Sequence, residues 1–248
     1  MRLFVCEDKS DLGRHAAAIG ASRLRQALRE KARVSIILAT GASQFEMLTF
    51  LVEEPGIDWS RIEVFHLDEY VGIPITHKAS FRKYLKERFA EKLPSLGAFH
   101  CIEGDASDTE AELRRISSLI ESREIDLAFI GIGENGHLAF NDPPADLKTS
   151  APYIIVELDR ACRMQQVGEG WFSSIDEVPP KAISMSIPQI LKSRCIVCTV
   201  PDKRKAVAVE MALYDPADPM HPAASLRGHS DTYLLTDKAA AEKVLVRN

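Results

Sequence analysis

The sequence predicts an α/β protein built on a mainly parallel sheet with helices on both faces. Strand-like and helix-like segments alternate along the chain, as in folds built from successive strand-helix units. The runs Val34–Ala39 and Ile125–Ile130 are apolar almost throughout, the pattern of strands buried on both sides. Clusters of polar residues stand at the carboxyl ends of such runs, where open parallel sheets place their sites.

In chain order, Arg2–Cys6 reads as a strand, and Leu12, Ala16, Ile19, Leu24 and Leu28 give a helical period from Asp8 to about Lys31. The β-branched run from Val34 stops at Thr40-Gly41-Ala42-Ser43, after which Phe45, Met47, Leu48 and Leu51 mark a helix. Arg61–Leu67 is strand-like, 68–79 is irregular, and Ser80–Phe89 is helical. Ser107-x-x-Glu110 reads as a capping box opening a helix with Leu113, Ile116, Leu119 and Ile120. Strands are expected at Ile125–Ile130, Tyr153–Val156, Ala182–Ile187, Arg194–Val200 and Thr232–Leu235, with a helix over Lys203–Tyr214. There is no internal repeat, and the loop-like stretches Pro179-Pro180 and 215–222 separate no compositionally distinct halves, so residues 1–248 are expected to form a single domain.

Composition narrows the function. Hydrophobic residues make up 46% and charged residues 27%, values of a soluble globular protein. Lys plus Arg is 31 against 36 Asp plus Glu, a net charge of −5, so no nucleic-acid partner held by bulk positive charge is expected and an anionic ligand needs a local site. The N-terminal apolar stretch is too short for a secretory segment, and no run approaches the ~20 residues of a membrane span, so no membrane partner is expected. An odd count of 5 cysteines without regular spacing argues against a disulfide framework and for a reducing compartment, the cytoplasm by default.

Four segments carry candidate chemistry. Gly131-Ile132-Gly133-Glu134-Asn135-Gly136-His137 fits G-x-G-x-x-G literally, but it runs through Leu138-Ala139-Phe140 into Asn141-Asp142-Pro143-Pro144, which cannot continue the helix that a dinucleotide site requires. What remains is a glycine-rich turn that exposes Glu134, Asn135, His137 and Asp142; an imidazole beside a carboxylate can move protons near neutral pH. In His66-Leu67-Asp68-Glu69-Tyr70, adjacent strand side chains face opposite ways, so one of Asp68 and Glu69 is available to a cleft and the other is structural. Thr40-Gly41-Ala42-Ser43 offers backbone N–H groups and a hydroxyl at a helix start, either as an anion site or as a simple cap. Lys203-Arg204-Lys205 also opens a helix, where positive charge is unfavourable unless an anion neutralises it, and Lys205 could meet the same phosphate. Cys195 and Cys198 lie three apart on a strand and face opposite ways, and no metal-ligand spacing is present, so no metal is expected.

The segments 65–72 (FHLDEYVG) and 131–143 (GIGENGHLAFNDP), with the turn at 40–43, Lys205-Ala206 and the late Ser225–His229, resemble glucosamine-6-phosphate deaminases, which share a superfamily with 6-phosphogluconolactonases. The resemblance implies a Rossmann-like three-layer α/β sandwich, conversion of a hexosamine 6-phosphate to a ketose 6-phosphate with release of ammonia, and no cofactor. Carried over by position, it implies Asp68 as the base moving a proton between C2 and C1, and His137 as the group assisting ring opening. Asp142 stands where the family usually has a glutamate orienting that histidine, and Asn135 where it often has aspartate. Thr40, Gly41, Ala42, Ser43 and Lys205 match phosphate-binding positions. An arginine that the family uses for phosphate is missing from Gly168-Glu169-Gly170-Trp171-Phe172, which leaves Arg160 and Arg163 as candidates to replace it. The implied partner is a small sugar phosphate, and a homo-oligomer is compatible with the family. The alternatives are a sugar-phosphate lactonase, disfavoured because Leu138–Pro143 lacks the Ala-Ser-Leu-Phe-Pro type sequence usual there, and a non-catalytic sugar-phosphate sensor.

Overall fold

The computed structural model describes residues 1–168 and 170–246. The described strands are β1 (Arg2–Cys6), β2 (Val34–Leu38), β3 (Ile62–His66), β4 (Asp68–Tyr70), β5 (Ala98–His100), β6 (Ile125–Ile130), β7 (Tyr153–Glu157), β8 (Lys181–Met185), β9 (Ile196–Val200) and β10 (Thr232–Asp237). The described helices are α1 (Lys9–Glu30), α2 (Phe45–Glu53), α3 (Phe81–Arg88), α4 (Thr109–Glu121), α5 (Arg160–Gly168), α6 (Ile187–Ile190), α7 (Ala206–Tyr214) and α8 (Glu242–Leu245). None is long and apolar enough to cross a membrane.

Seven strands form one sheet in the order β1-β10-β9-β6-β2-β3-β5, with every pairing parallel. Alternation within the apolar runs sorts side chains between the two faces. Ile36, Leu38, Val64, Leu127 and Phe129 pack with Leu12, Ala16 and Leu24 of α1 and Leu48 of α2. Ile37, Phe65, Ala128, Ile130 and Cys198 pack with Ile116 and Ile120 of α4 and Val209 of α7. The result is the expected three-layer sandwich. Cys195 and Cys198 fall in opposite layers, and all the cysteines are free.

The structure departs from the sequence reading at several points. The strand-like segments near 153–156 and 182–187 do not join the parallel sheet: β7 and β8 pair antiparallel, and β8 pairs antiparallel with β4, giving a second sheet in the order β4-β8-β7. Local pattern reports that a segment is extended; its direction is set here by the distant pairing of Asp68 with Ser184 and Tyr70 with Ala182. Within the stretch expected to be irregular, 68–70 is therefore a strand. The edge strand β5, at three half-buried residues, is too short for a pattern, and α5 was not read from the sequence at all. The cap of α4 is Asp108, whose side chain accepts the Ala111 N–H at 2.9 Å, in place of the Ser107 box. Lys203–Lys205 is a 3-10 turn, and the α-helix proper begins at Ala206.

From β2 the chain moves outward to β3 and β5, then returns to β6 on the other side of β2 and proceeds to β9 and β10. The direction of winding thus reverses between β2 and β6, the place where open α/β sheets form a crevice beyond the carboxyl ends of their strands.

Candidate active site

The loops that follow β2, β3, β6 and β9, four neighbouring strands, surround a cavity of about 160 Å³. Of the residues singled out in the sequence, Thr40, Gly41, Ala42, Ser43, Asp68, His137 and Lys205 line it. Asn135 and Asp142 stand behind His137 and touch the imidazole or its backbone.

At the end of β3 the two adjacent carboxylates part, as the strand geometry requires. Glu69 turns away from the cavity and is completely buried. Its oxygens accept the Ser80 hydroxyl at 2.8 Å, the Phe81 and Arg82 N–H groups at 3.1 and 2.9 Å, and Arg82 Nε at 3.2 Å. It is thus the anion that caps the first turn of α3 and pins the connection 70–80 to the sheet. Removing this carboxylate leaves the buried Ser80 hydroxyl and the Phe81 and Arg82 N–H groups without their acceptor, so Glu69→Ala is expected to lower the unfolding free energy by about 3 kcal/mol in urea denaturation.

Asp68 turns the other way, into the cavity, and is 7% exposed. No hydrogen bond reaches its carboxylate among the described residues, and burial, with the neighbouring Glu69 charge, pushes its pKa up to about 8. A carboxyl poised near neutrality can both take and return a proton. His66, one turn of the pleat earlier, is buried and accepts the Ile102 N–H on Nε2 at 2.8 Å; burial pushes its pKa down to about 3, so it stays neutral and acts in packing.

The loop after β6 sets an imidazole beside a carboxylate. Asn135 Oδ1 accepts the His137 N–H at 3.1 Å, and Asn135 Nδ2 donates to Asp142 Oδ1 at 2.9 Å. The same Asp142 oxygen lies 2.9 Å from His137 Nδ1. Burial alone would raise the Asp142 carboxyl, but His137 and the Asn135 amide outweigh it and hold the pKa below the ordinary value. The side chain of Asn135 thus supplies no charge and instead ties the carboxylate to the turn. Asn141 fixes the far end by donating from Nδ2 to the carbonyls of Leu138 and Met185, at 2.7 and 2.8 Å. Gly133 has its own requirement: a Cβ there would lie 2.2 Å from His137 Nε2 and Cε1, so the imidazole lies directly against a bare backbone. The glycines of this segment serve ring packing and a turn, and no helix follows them, which disposes of a dinucleotide loop.

The cavity also has a cationic side. Gly41 has φ +92°, and the turn 42–44 leads into α2. Lys9, Arg204 and Lys205 line this region. Gln44, which sequence reasoning missed, locks the loops together by donating from Nε2 to Ser43 Oγ, the Ile130 carbonyl and Thr199 Oγ1. Two of its partners, Ile130 and Thr199, are too distant in sequence for any local pattern to reveal it. Lys9 was missed for the same reason. The two candidates for the missing arginine do not reach the cavity: Arg160 is absent from its lining, and Arg163 donates to the carbonyls of Val178 and Ile175, at 3.1 and 2.6 Å. Glu169, within the segment that lacks the arginine, lies outside the described residues.

The sequence matches the family described as glucosamine-6-phosphate isomerases/6-phosphogluconolactonase over residues 7–234. The chain belongs to this family. Glucosamine-6-phosphate deaminase 1 of Bacillus subtilis (strain 168) is 34% identical to it, over 97% of this chain and 98% of that one. The glucosamine-6-phosphate deaminase of Clostridium botulinum (strain Alaska E43 / Type E3) is 32% identical, over 97% and 96% of the two chains. Among family structures, a monomeric glucosamine-6-phosphate deaminase superposes with a TM-score of 0.87 at 31% identity, covering 98% of this chain and 99% of that one. A 6-phosphogluconolactonase from Shewanella baltica OS155, at 20% identity and a TM-score of 0.77, shares the fold.

Proposed function

We propose that the protein converts a hexosamine 6-phosphate, glucosamine 6-phosphate or a close relative, to the ketose 6-phosphate and ammonia. The observation that carries this reading is the pairing, in one cavity, of a buried carboxyl without hydrogen-bond partners among the described residues, Asp68, and an imidazole backed by a carboxylate, His137. Full-length relatives named as deaminases support it. The C2 proton of an aldose becomes acidic only beside an open-chain carbonyl, so one group must open the ring before another abstracts the proton. His137 takes the proton of the C1 hydroxyl and delivers one to the ring oxygen, while Asp142 stabilises the imidazolium that forms between the two transfers. Asp68 then removes the C2 proton while the C1 oxygen takes up a proton that the 2-ammonium group releases, leaving an enolamine, and Asp68 returns its proton to C1. Water adds to the resulting C2 imine and ammonia leaves, which gives the ketose. The cationic side of the cavity holds the phosphate, whose binding energy positions C1 and C2 against the two groups. No step calls for a metal or a cofactor.

Lactone hydrolysis needs no base at C2. Offered 6-phosphogluconolactone and glucosamine 6-phosphate at equal concentrations, the protein is expected to turn over the amino sugar; faster hydrolysis of the lactone would overturn the reading. The pH profile is a second test. Asp68 must be ionised to abstract the proton, and in the free enzyme it ionises through a pKa of about 8. Accordingly kcat/KM is expected to rise from pH 6, to be half-maximal near pH 8 and to level above about pH 9, since this parameter reports groups of the free enzyme. A flat profile across that range would remove Asp68 from the role of base.

A further inference from the structure

Asp202 adopts φ +87°, a left-handed conformation that an aspartate holds only when its surroundings impose it. Its N–H donates to Asp237 Oδ2 at 2.9 Å and its Oδ1 accepts the Arg204 N–H at 3.3 Å. The remaining oxygen, Oδ2, accepts Lys9 Nζ at 3.2 Å and lies 3.5 Å from Arg204 Nη2. One carboxylate thereby gathers two cations from opposite ends of the sequence, and both line the cavity beside the turn 40–43. The second guanidinium nitrogen of Arg204, Nη1, reaches Glu134 Oε1 at 3.5 Å, on the loop that carries His137. Lys9 and Arg204 keep about half of their side-chain surface exposed, at 48% and 54%. Exposed ion pairs contribute too little to hold a strained residue on their own account. The arrangement does have a use if a doubly charged group enters between the cations and the turn.

We propose that Lys9 and Arg204, gathered beside the cavity by Asp202, read the phosphate of the substrate together with the turn 40–43. The inference rests on the functional reading above. A phosphate seated at the turn 40–43 takes charge-assisted hydrogen bonds from the Lys9 ammonium and from Arg204, whose Nη1 and Nη2 each carry a second N–H beyond the one available to Glu134 or Asp202. Because Arg204 also contacts Glu134, the occupied phosphate end bears on the loop of His137, so phosphorylated sugars are selected over free ones.

The test uses the full-length protein and the variants Lys9→Gln, Arg204→Gln and, as a control, Lys203→Gln, a neighbouring cation that pairs with Glu242 at 3.0 Å and does not line the cavity. Two readouts are taken. The KM for glucosamine 6-phosphate is expected to rise about tenfold in each of the first two variants with kcat within about twofold, one lost charge-assisted contact being worth roughly that ratio. The concentration of inorganic phosphate that gives half of the maximal thermal stabilisation is expected to rise by a similar factor, while Lys203→Gln behaves as the wild type. An unchanged phosphate titration in both variants overturns the proposal, whatever happens to KM, and leaves deamination standing if the wild type releases ammonia. Conversely, a shifted titration in a protein that deaminates no hexosamine phosphate supports the anion wall and removes the functional reading.

Discussion

Asp68→Asn is expected to lower kcat about a thousandfold while glucosamine 6-phosphate still raises the melting temperature. The amide fills the volume of the carboxyl but cannot accept the C2 proton, and general acid-base groups of this kind contribute roughly a hundred- to ten-thousandfold. The binding arm of the experiment separates loss of chemistry from loss of the pocket, since a ligand stabilises the folded state whether or not it reacts. Stability carries an independent signature of the same residue. The Asp68 carboxyl has its folded pKa raised from 3.8 to about 8 by burial, so between those values the folded state binds more protons than the unfolded chain. Stability contributed by this group therefore falls as pH rises through that window. Asparagine has nothing to ionise, and the variant should gain on the wild type in denaturation curves from pH 5 upward, with the largest difference above pH 8. An inactive but stabilised variant would mark Asp68 as a group kept for chemistry at a cost to the fold. Equal activity would refute the assignment.

Gly133→Ala should also be damaging, although the substitution adds a single methyl group. A Cβ at that position would sit 2.2 Å from the His137 ring, closer than any real contact, and the ring must swing away from the cavity or from Asp142. Displacements near 1 Å at a reacting group cost about a hundredfold, and kcat is expected to fall by that order. The double variant Gly133→Ala/His137→Gln separates this cause from a general loosening of the loop. If the methyl acts by moving the imidazole, the double variant is no slower than His137→Gln alone; additive losses would show that it acts elsewhere.

These expectations draw on features that were unequally visible in the sequence. The layers were legible because the runs at 34–39 and 125–130 bury both faces, and burial on both faces leaves an unbroken apolar signature. The division of labour between Asp68 and Glu69 was legible as well, since adjacent residues of a strand cannot share a face; alternation alone left open which of the two enters the cavity, the resemblance pointed to Asp68, and the first turn of α3 claims Glu69. The antiparallel sheet was not legible, because its defining pairing joins 68–70 to 182–184 and neither segment encodes the direction of the other. The cationic wall was half visible. Three basic residues at a helix start, 203–205, signalled an anion, but the role of Lys9 depends on a contact with Asp202 across 193 residues. The conformation that gives Asp202 its reach, a positive φ in a non-glycine residue, leaves no mark on the sequence.

The most direct measurement is the release of ammonia by the purified protein from glucosamine 6-phosphate, with the ketose 6-phosphate quantified in the same sample and galactosamine 6-phosphate run beside it. The account predicts ammonia and ketose in equal amounts from at least one of the two sugars, with Asp68→Asn silent on both. Failure of the wild type to release ammonia from either sugar, under conditions in which both stabilise it against heat, would contradict the account and leave a sugar-phosphate pocket without the deamination assigned to it.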